Sequence, residues 1–207
     1  MANGVERVRV SAVILAAGAS SRMGENKLLA TVSGEPLLRR AVRSALAAGL
    51  DPVLVVLGHE AARAEAALAG LPCRPVQNPR FASGLNTSLD AGIVGVPPDA
   101  AAAVVLLADM PFVAPAMIAA LVARFAETGA PLVASRYGEV HAPPTLYARA
   151  LFPELCGGEG EGRGREVTRR HQRAASFIDW PAAALADVDE RGDLERVRVR
   201  LGEEGAP

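Results

Sequence analysis

The sequence predicts a single doubly wound α/β domain, a mostly parallel sheet with helices on both faces. Three observations lead there. Short runs of Val, Ile, Leu and Ala recur along the 207 residues, nearly free of charge, so that both faces of each strand are buried. Helical stretches of about ten residues separate the runs, which calls for right-handed crossovers between parallel strands. The runs also stop abruptly at Gly, Asp or Pro, as strands do where they meet loops.

Residues 8–15, Val-Arg-Val-Ser-Ala-Val-Ile-Leu, form the first strand and end at Ala16-Ala17-Gly18. Pro36 opens a helix through Ala48 with Leu37, Leu38, Ala41, Val42 and Ala45 on one face, and Gly49 stops it. Residues 52–57 give a second strand. An Ala-rich helix to about residue 68 follows, then a short strand at 74–77, a loop at 78–84 and a helix from residue 85. The apolar run 102–107 stops at Ala108-Asp109-Met110-Pro111, and residues 115–127 are helical with Ile118, Leu121, Val122 and Phe125 inward. Residues 131–135 make another strand. Periodicity weakens over 137–147 and 176–189, which suits shorter strands, one of them antiparallel, and 193–201 reads as a closing helix. No internal repeat or second domain breaks residues 1–207. The one low-complexity stretch, the Gly-rich residues 156–165, is either a flexible surface loop or a lid.

Composition excludes several functions. Lys+Arg 22 balance Asp+Glu 23, and aromatics make up 4%. Such a chain lacks the basic stripe and stacking platforms of a nucleic-acid reader, so no nucleic-acid partner is expected. No apolar run approaches the roughly 20 residues that cross a bilayer, so no membrane partner is expected either. Cys73 and Cys156 are the only cysteines and lie far apart, which supports neither a disulfide framework nor a paired-cysteine zinc site. With no signal-peptide pattern ahead of the first strand, the expected location is cytoplasmic.

In parallel sheets ligands bind beyond the carboxyl ends of the strands. The first such end reads Leu15-Ala16-Ala17-Gly18-Ala19-Ser20-Ser21-Arg22-Met23-Gly24-Glu25-Asn26-Lys27. Small residues (Ala16, Ala17, Gly18, Ser20, Ser21, Gly24) let backbone N–H groups converge on an anion, while Arg22 offers a fork and Lys27 a compact charge for phosphate oxygens. The order matches neither the Walker loop nor the dinucleotide fingerprint. Lys27 is the only lysine among the 22 basic residues, in a chain that otherwise uses arginine for its cations. That singles it out as a point charge with a role.

Asp109, at the end of the apolar run, is either a hard oxygen ligand for magnesium or a turn aspartate. Asp187-Val188-Asp189 alternates with period two, which on a strand puts both carboxylates on one side; pairing Asp189 with Asp109 makes a two-carboxylate magnesium site. Asp193 reads as a capping residue of the last helix. The turn and helix start at 78–88 could offer Gly84 and Ser88 to a ribose or base, although Ser83 as N-cap explains part of that pattern. His141, in His-Ala-Pro-Pro, is either near a substrate phosphate or a surface residue, and Arg165 either serves the Gly-rich stretch as a lid or is solvated. No Gly-x-Ser-x-Gly elbow exists for a nucleophilic serine.

Taken together, the segments 15–29, 78–88, 108–111 and 187–189 resemble the molybdenum cofactor cytidylyltransferases of the MobA-like nucleotidyltransferase superfamily. The resemblance covers nearly the whole chain in order and implies a nucleotide-diphospho-sugar-transferase-like fold. Guanylyltransferase relatives usually read Leu-Ala-Gly-Gly and carry a second glycine after Arg-Met-Gly; Ala17 and Glu25 stand at those places here, which points to CTP. Methylerythritol-phosphate cytidylyltransferases, which usually end this loop in Pro-Lys-Gln, match Asn26-Lys27-Leu28 less well. The acceptor side departs from the family pattern: His141-Ala142-Pro143-Pro144 replaces Gly-His-Pro, and Asp187-Val188-Asp189-Glu190-Arg191 replaces Asp-Ile-Asp-Thr-Pro.

The resemblance implies transfer of CMP from CTP to a molybdopterin-type cofactor, with Lys27 and Arg22 on the phosphates and Asp109 and Asp189 on Mg2+. A recipient molybdoenzyme is the implied partner for the product. Two other functions use the same residues: a delivery protein that binds the finished cofactor without turnover, and an NADPH-dependent reductase on the same scaffold.

Overall fold

A computed structural model of the chain describes residues 8–19 and 26–202. Its elements follow in order: β1 (Val10–Ala16), β2 (Thr31–Val32), β3 (Glu35–Pro36), α1 (Leu37–Ala47), β4 (Val53–Leu57), α2 (Ala61–Ala67), β5 (Arg74–Gln77) and α3 (Leu85–Val94). The second half contains β6 (Ala102–Leu107), α4 (Pro115–Thr128), β7 (Leu132–Tyr137), β8 (Val140–Ala148), α5 (Phe152–Leu155), α6 (Arg163–His171), β9 (Ser176–Trp180) and α7 (Arg191–Arg200).

Seven strands form one sheet in the order β5-β4-β1-β6-β8-β7-β9. β1, β4, β5 and β6 pair in parallel, as do β7 and β9; β8 alone runs against its neighbours β6 and β7. This is the mostly parallel, doubly wound sheet that the sequence predicts, and β8 is its one antiparallel strand. Every residue of β1 is buried because both faces carry helices. Ile14, Val55 and Val104 point into the layer under α1 and α4, while Val13, Leu15, Val56 and Val105 meet α3, α5 and α6. α3 lies so close that a Cβ on Gly92 would stand 2.3 Å from Val13 Cγ1, which makes glycine obligatory there.

Three parts depart from the sequence reading. Over 137–147, where weak periodicity suits shorter strands, β8 has 9 residues and is the longest strand of the sheet. Helix α6 starts at Arg163, so the last three residues of the stretch 156–165 are helical. The segment 181–189 is not a strand: after a short 3-10 turn at Ala182–Ala184 it runs as irregular backbone into α7. A third, small core forms where Val188, Leu194 and Val197 pack on Val32 and Leu37, fixing α7 against the β2–β3 hairpin. That hairpin turns through Ser33 and Gly34, both at positive φ, as a two-residue hairpin loop requires.

Candidate functional site

Two features meet at the carboxyl end of the sheet: a charged rim and a half-open cavity beside it. The rim begins where β1 delivers Ala16 and Ala17, both buried, and then Gly18, which is exposed. A Cβ on Gly18 would touch nothing within 4 Å among the described residues, so packing against them does not require a glycine there; a ligand lying against bare backbone would. Ser20, Ser21, Arg22 and Gly24 lie outside the described residues. The chain re-enters at Asn26, whose buried side chain accepts the Leu28 N–H at 3.1 Å and winds the short turn Lys27–Leu29. With Leu28 buried beneath it, that turn sets the direction of Lys27.

Lys27 Nζ lies 2.7 Å from Asp109 Oδ2 and 2.8 Å from Asp189 Oδ1. The lysine side chain is 13% exposed. Burial alone pulls its pKa down, but the two carboxylates outweigh this and hold it above the usual lysine value, so the ammonium is charged at neutral pH. Asp109 sits just past β6, where Ala108 N–H bonds to Leu15 O and Arg40 of α1 donates to Pro111 O at 3.0 Å. Asp189 is brought in by Val188, whose N–H donates to Asp109 O at 3.1 Å. Arg200 stacks 4.0 Å over the Phe112 ring and donates to Ala183 O, tying the end of α7 to both segments.

The structure therefore unites Lys27, Asp109 and Asp189, with one change of partner: in this state the lysine spans the two carboxylates. Asp109 Oδ1 remains buried with no hydrogen-bond partner among the described residues. Two carboxylates with a spare hard oxygen fit a divalent cation of the magnesium type, although no group of three or more ligating side chains exists among the described residues. Asp187 does not share their side. Because 187–189 is not a strand, Asp187 turns to the cavity while Asp189 faces Lys27.

Other expectations need correction. Ser88 is buried and accepts from Asn78 Nδ2 at 3.0 Å, within a network that also holds Thr87, so its hydroxyl braces the loop at 78–84 rather than facing a nucleotide. Ser83 makes no cap; Gly84 is the N-cap residue of α3. Gly84 is needed for packing: its φ is +106°, and a Cβ would come 2.4 Å from Gly160 O. The Gly-rich stretch docks there, with Gly160 N–H on Ser83 O, Asn86 N–H on Gly160 O and Arg163 N–H on Asn86 Oδ1.

The cavity beside the rim has a volume of about 820 Å³. One wall is β8, through Val140, His141, Ala142, Pro143, Thr145 and Tyr147; another is α6 with the residue that caps it, presenting Arg165, Thr168, Arg169 and Gln172 on one side. Leu15, Leu89, Val105 and Leu107 line its apolar base. Tyr147 fastens the two walls, its hydroxyl donating to Gly164 O at 3.2 Å, and burial pushes its pKa up. His141 stacks on Phe177, centroids 5.0 Å apart. His141 and Arg165 thus fall in the cavity and not on the rim. Arg163, Arg169 and Asn86 escape a reading of the sequence because only the fold turns them inward. The cysteines are free thiols, and burial pushes Cys156 up to about 11, which leaves no reactive thiolate.

Residues 12–175 match the model of the MobA-like NTP transferase domain. The chain belongs to this family. As a MobA-like nucleotidyltransferase it is 32% identical over 203 residues to the purine catabolism protein PucB of Bacillus subtilis, covering 90% of this chain and 94% of PucB. It is 36% identical over 197 residues to the bifunctional protein GlmU of Alkalilimnicola ehrlichii, covering 92% of this chain but only 41% of that protein. Among solved structures it resembles Rv0371c of Mycobacterium tuberculosis, with TM-score 0.81 and 27% identity over 93% of this chain and 99% of that one. Rv0371c has also been solved in complex with manganese, at TM-score 0.74 and 26% identity, covering 92% of this chain and 98% of that one. Among the described residues, no helix is long and apolar enough to cross a membrane.

Proposed function

We propose that this nucleotidyltransferase transfers CMP from CTP to the terminal phosphate of molybdenum-loaded molybdopterin and releases pyrophosphate. The observation that carries the reading is Lys27 between Asp109 and Asp189, at the rim where β1 delivers Ala16-Ala17-Gly18. An ammonium and two carboxylates suit a triphosphate with its divalent counter-ion; no activated nucleophile stands among them. None is needed. An oxygen of the acceptor phosphate, already ionised, forms a bond to the α-phosphorus of CTP as the bond from that phosphorus to the pyrophosphate oxygen breaks. Catalysis then reduces to alignment and charge neutralisation.

Lys27 supplies a fixed positive charge for the leaving pyrophosphate, and Gly18 lets backbone approach the phosphates closely. Asp109 and Asp189 would hold Mg2+, which when bound neutralises phosphate charge; the manganese complex of Rv0371c supports a divalent ion in a relative. The choice of CTP rests on Ala17 and Glu25, where guanylyltransferase relatives carry glycine. The cavity is large enough for a drug-sized acceptor, being inside the roughly 300–1,000 Å³ range of ligand sites. A recipient molybdoenzyme is the partner that this product implies, and the cytoplasm the proposed setting.

The test is a purified assay of the chain with Mg2+, molybdenum-loaded molybdopterin and CTP, GTP or ATP. Pyrophosphate release with CTP, and a cytosine dinucleotide product, is the expected result. Tight cofactor binding without pyrophosphate would instead identify a delivery protein, and NADPH oxidation a reductase.

A further inference from the structure

Helix α6 treats its two sides differently. Away from the cavity, Arg170 donates to Glu154 at 2.6 Å and to Glu166 at 2.8 Å, and His171 lies 2.8 Å from Glu154. Those contacts use both carboxylates within reach. On the cavity side Arg165 and Arg169 stand four residues apart, both exposed, and no described carboxylate comes within ion-pair distance of either. Glu139, Glu161 and Asp187 line other parts of the same cavity without closing on them.

Part of this arrangement is unfavourable for the helix alone, although Glu166 suits the first turn and Arg169, in the last turn, suits the helix dipole. Like charges one turn apart repel. Arg163 and Arg165 also occupy the first turn, where the backbone N–H groups already place partial positive charge. Arg163 Nε is moreover buried with no hydrogen-bond partner among the described residues. Sequences break local rules of this kind mainly at functional sites. Opposite the arginines, the β8 face with His141 stacked on Phe177 offers a flat, weakly polar wall. The cavity therefore suits a flat body with an anionic group presented to α6.

We infer that Arg165 and Arg169 form the subsite for a second anionic group of the acceptor, distinct from the phosphate that attacks CTP. The inference rests on the acceptor reading above; in molybdenum-loaded molybdopterin the oxo-molybdenum dithiolene would supply that group. A guanidinium pair meets a multi-oxygen anion with several charge-assisted hydrogen bonds, and so selects for an acceptor that carries one. The arginines are specificity-determining and take no part in bond making.

The double variant Arg165→Gln/Arg169→Gln should raise KM for molybdenum-loaded molybdopterin by ~30-fold, with kcat and the KM for CTP within about twofold, as loss of charge-assisted contacts away from the reacting atoms predicts. Its melting temperature should stay close to that of the parent, because the repulsion relieved within the pair offsets the loss of a cation from the last turn; a clear fall would assign the arginines a structural role and overturn the inference. A rise in KM for CTP in place of the acceptor would overturn it as well. Independently of turnover, the arginine Nε–H resonances of the CTP-saturated protein should shift and saturate at Arg165 and Arg169 when inorganic phosphate is titrated in. Unmoved resonances sink the subsite even if cytidylyl transfer is observed. Absence of transfer by the parent sinks the acceptor reading and leaves the resonances to decide the subsite.

Discussion

At the rim, Lys27 and Asp189 meet across 162 positions of sequence, and with Asp109 they arrive from three irregular segments, one functional side chain each. The cavity wall beside them is built the other way: one strand contributes six residues, and one side of a helix and its cap contributes Arg165, Thr168, Arg169 and Gln172. Regular elements hold their side chains through many shared contacts, so a single change in the cavity alters what fits there. Each rim residue stands alone, so under the proposed reaction its loss should remove a function outright. Chemistry should therefore be fragile at the rim, while selectivity should be adjustable in the cavity.

The sharpest way to break this contrast is Lys27→Ala. In the proposed reaction Lys27 is the fixed charge for the leaving pyrophosphate, so removing it should cost ~10²-fold or more in kcat, the scale seen when one electrostatic donor to developing charge is lost. Rapid-quench turnover measures it, and near-parental turnover would take Lys27 out of the mechanism. Asp109→Asn is next. The change keeps the shape but removes the charge beside the buried Oδ1, so the metal concentration for half-maximal activity should rise ~10-fold or more, as expected for a hard cation deprived of a carboxylate. A manganese titration followed by electron paramagnetic resonance checks the binding without relying on activity.

How far each region is legible in the sequence follows from the same difference. Strand ends are announced by chemistry: the apolar run 102–107 stops at an aspartate, and a lone lysine follows a small-residue loop, so Lys27 and Asp109 stand out by residue type and position along the chain, whereas Asp189 stands out only through an Asp-Val-Asp alternation on an expected strand that the fold does not form. Their mutual contact does not, because it depends on Val188 N–H bonding to Asp109 O and on a small core that no periodic signal announces. The doubly wound sheet is equally readable, since strands buried on both faces are uniformly apolar. α6 is not: Arg-Gly-Arg-Glu-Val-Thr-Arg-Arg-His has a single large apolar residue, Val167, and follows a Gly-rich stretch that reads as loop. Ser88 shows the opposite error. A hydroxyl near a turn looks available in sequence, but the fold commits it to the Asn78 amide.

In the cavity the contrast is sharpened by Tyr147→Phe. The buried hydroxyl joins β8 to α6 through Gly164 O and Thr168. Deleting it should cost about 1–1.5 kcal/mol of stability, the usual net worth of one buried hydrogen bond, with kcat little changed. Chemical denaturation at pH 7 measures the first and steady-state kinetics the second; a loss of kcat comparable to that of Lys27→Ala would erase the distinction between the two regions.

The smallest effect lies where the rim is braced by a regular element. Asp193 Oδ2 accepts the N–H groups of Glu190 at 2.7 Å and Asp189 at 3.0 Å, the second half of a capping box at the start of α7. The Glu190 N–H first, and the Asp189 N–H after it, hold the Asp193 carboxyl below its usual value. A depressed carboxylate contributes stability that is present above its unfolded pKa, near ~3.9, and lost as pH falls through the folded value. Asp193→Ala should therefore cost about 0.5–1 kcal/mol near neutrality, the range of a lost cap, and the gap to the parent should narrow as the pH drops below about 4. Because Asp189 N–H is one of the donors, the same variant should also raise the metal requirement, by less than Asp109→Asn does. Urea melts from pH 7 to pH 3 decide the first point: a gap that stays constant over that range would mean that the ionised carboxylate is not what anchors Asp189, and the brace would have to be sought in Val188 and the α7 core instead.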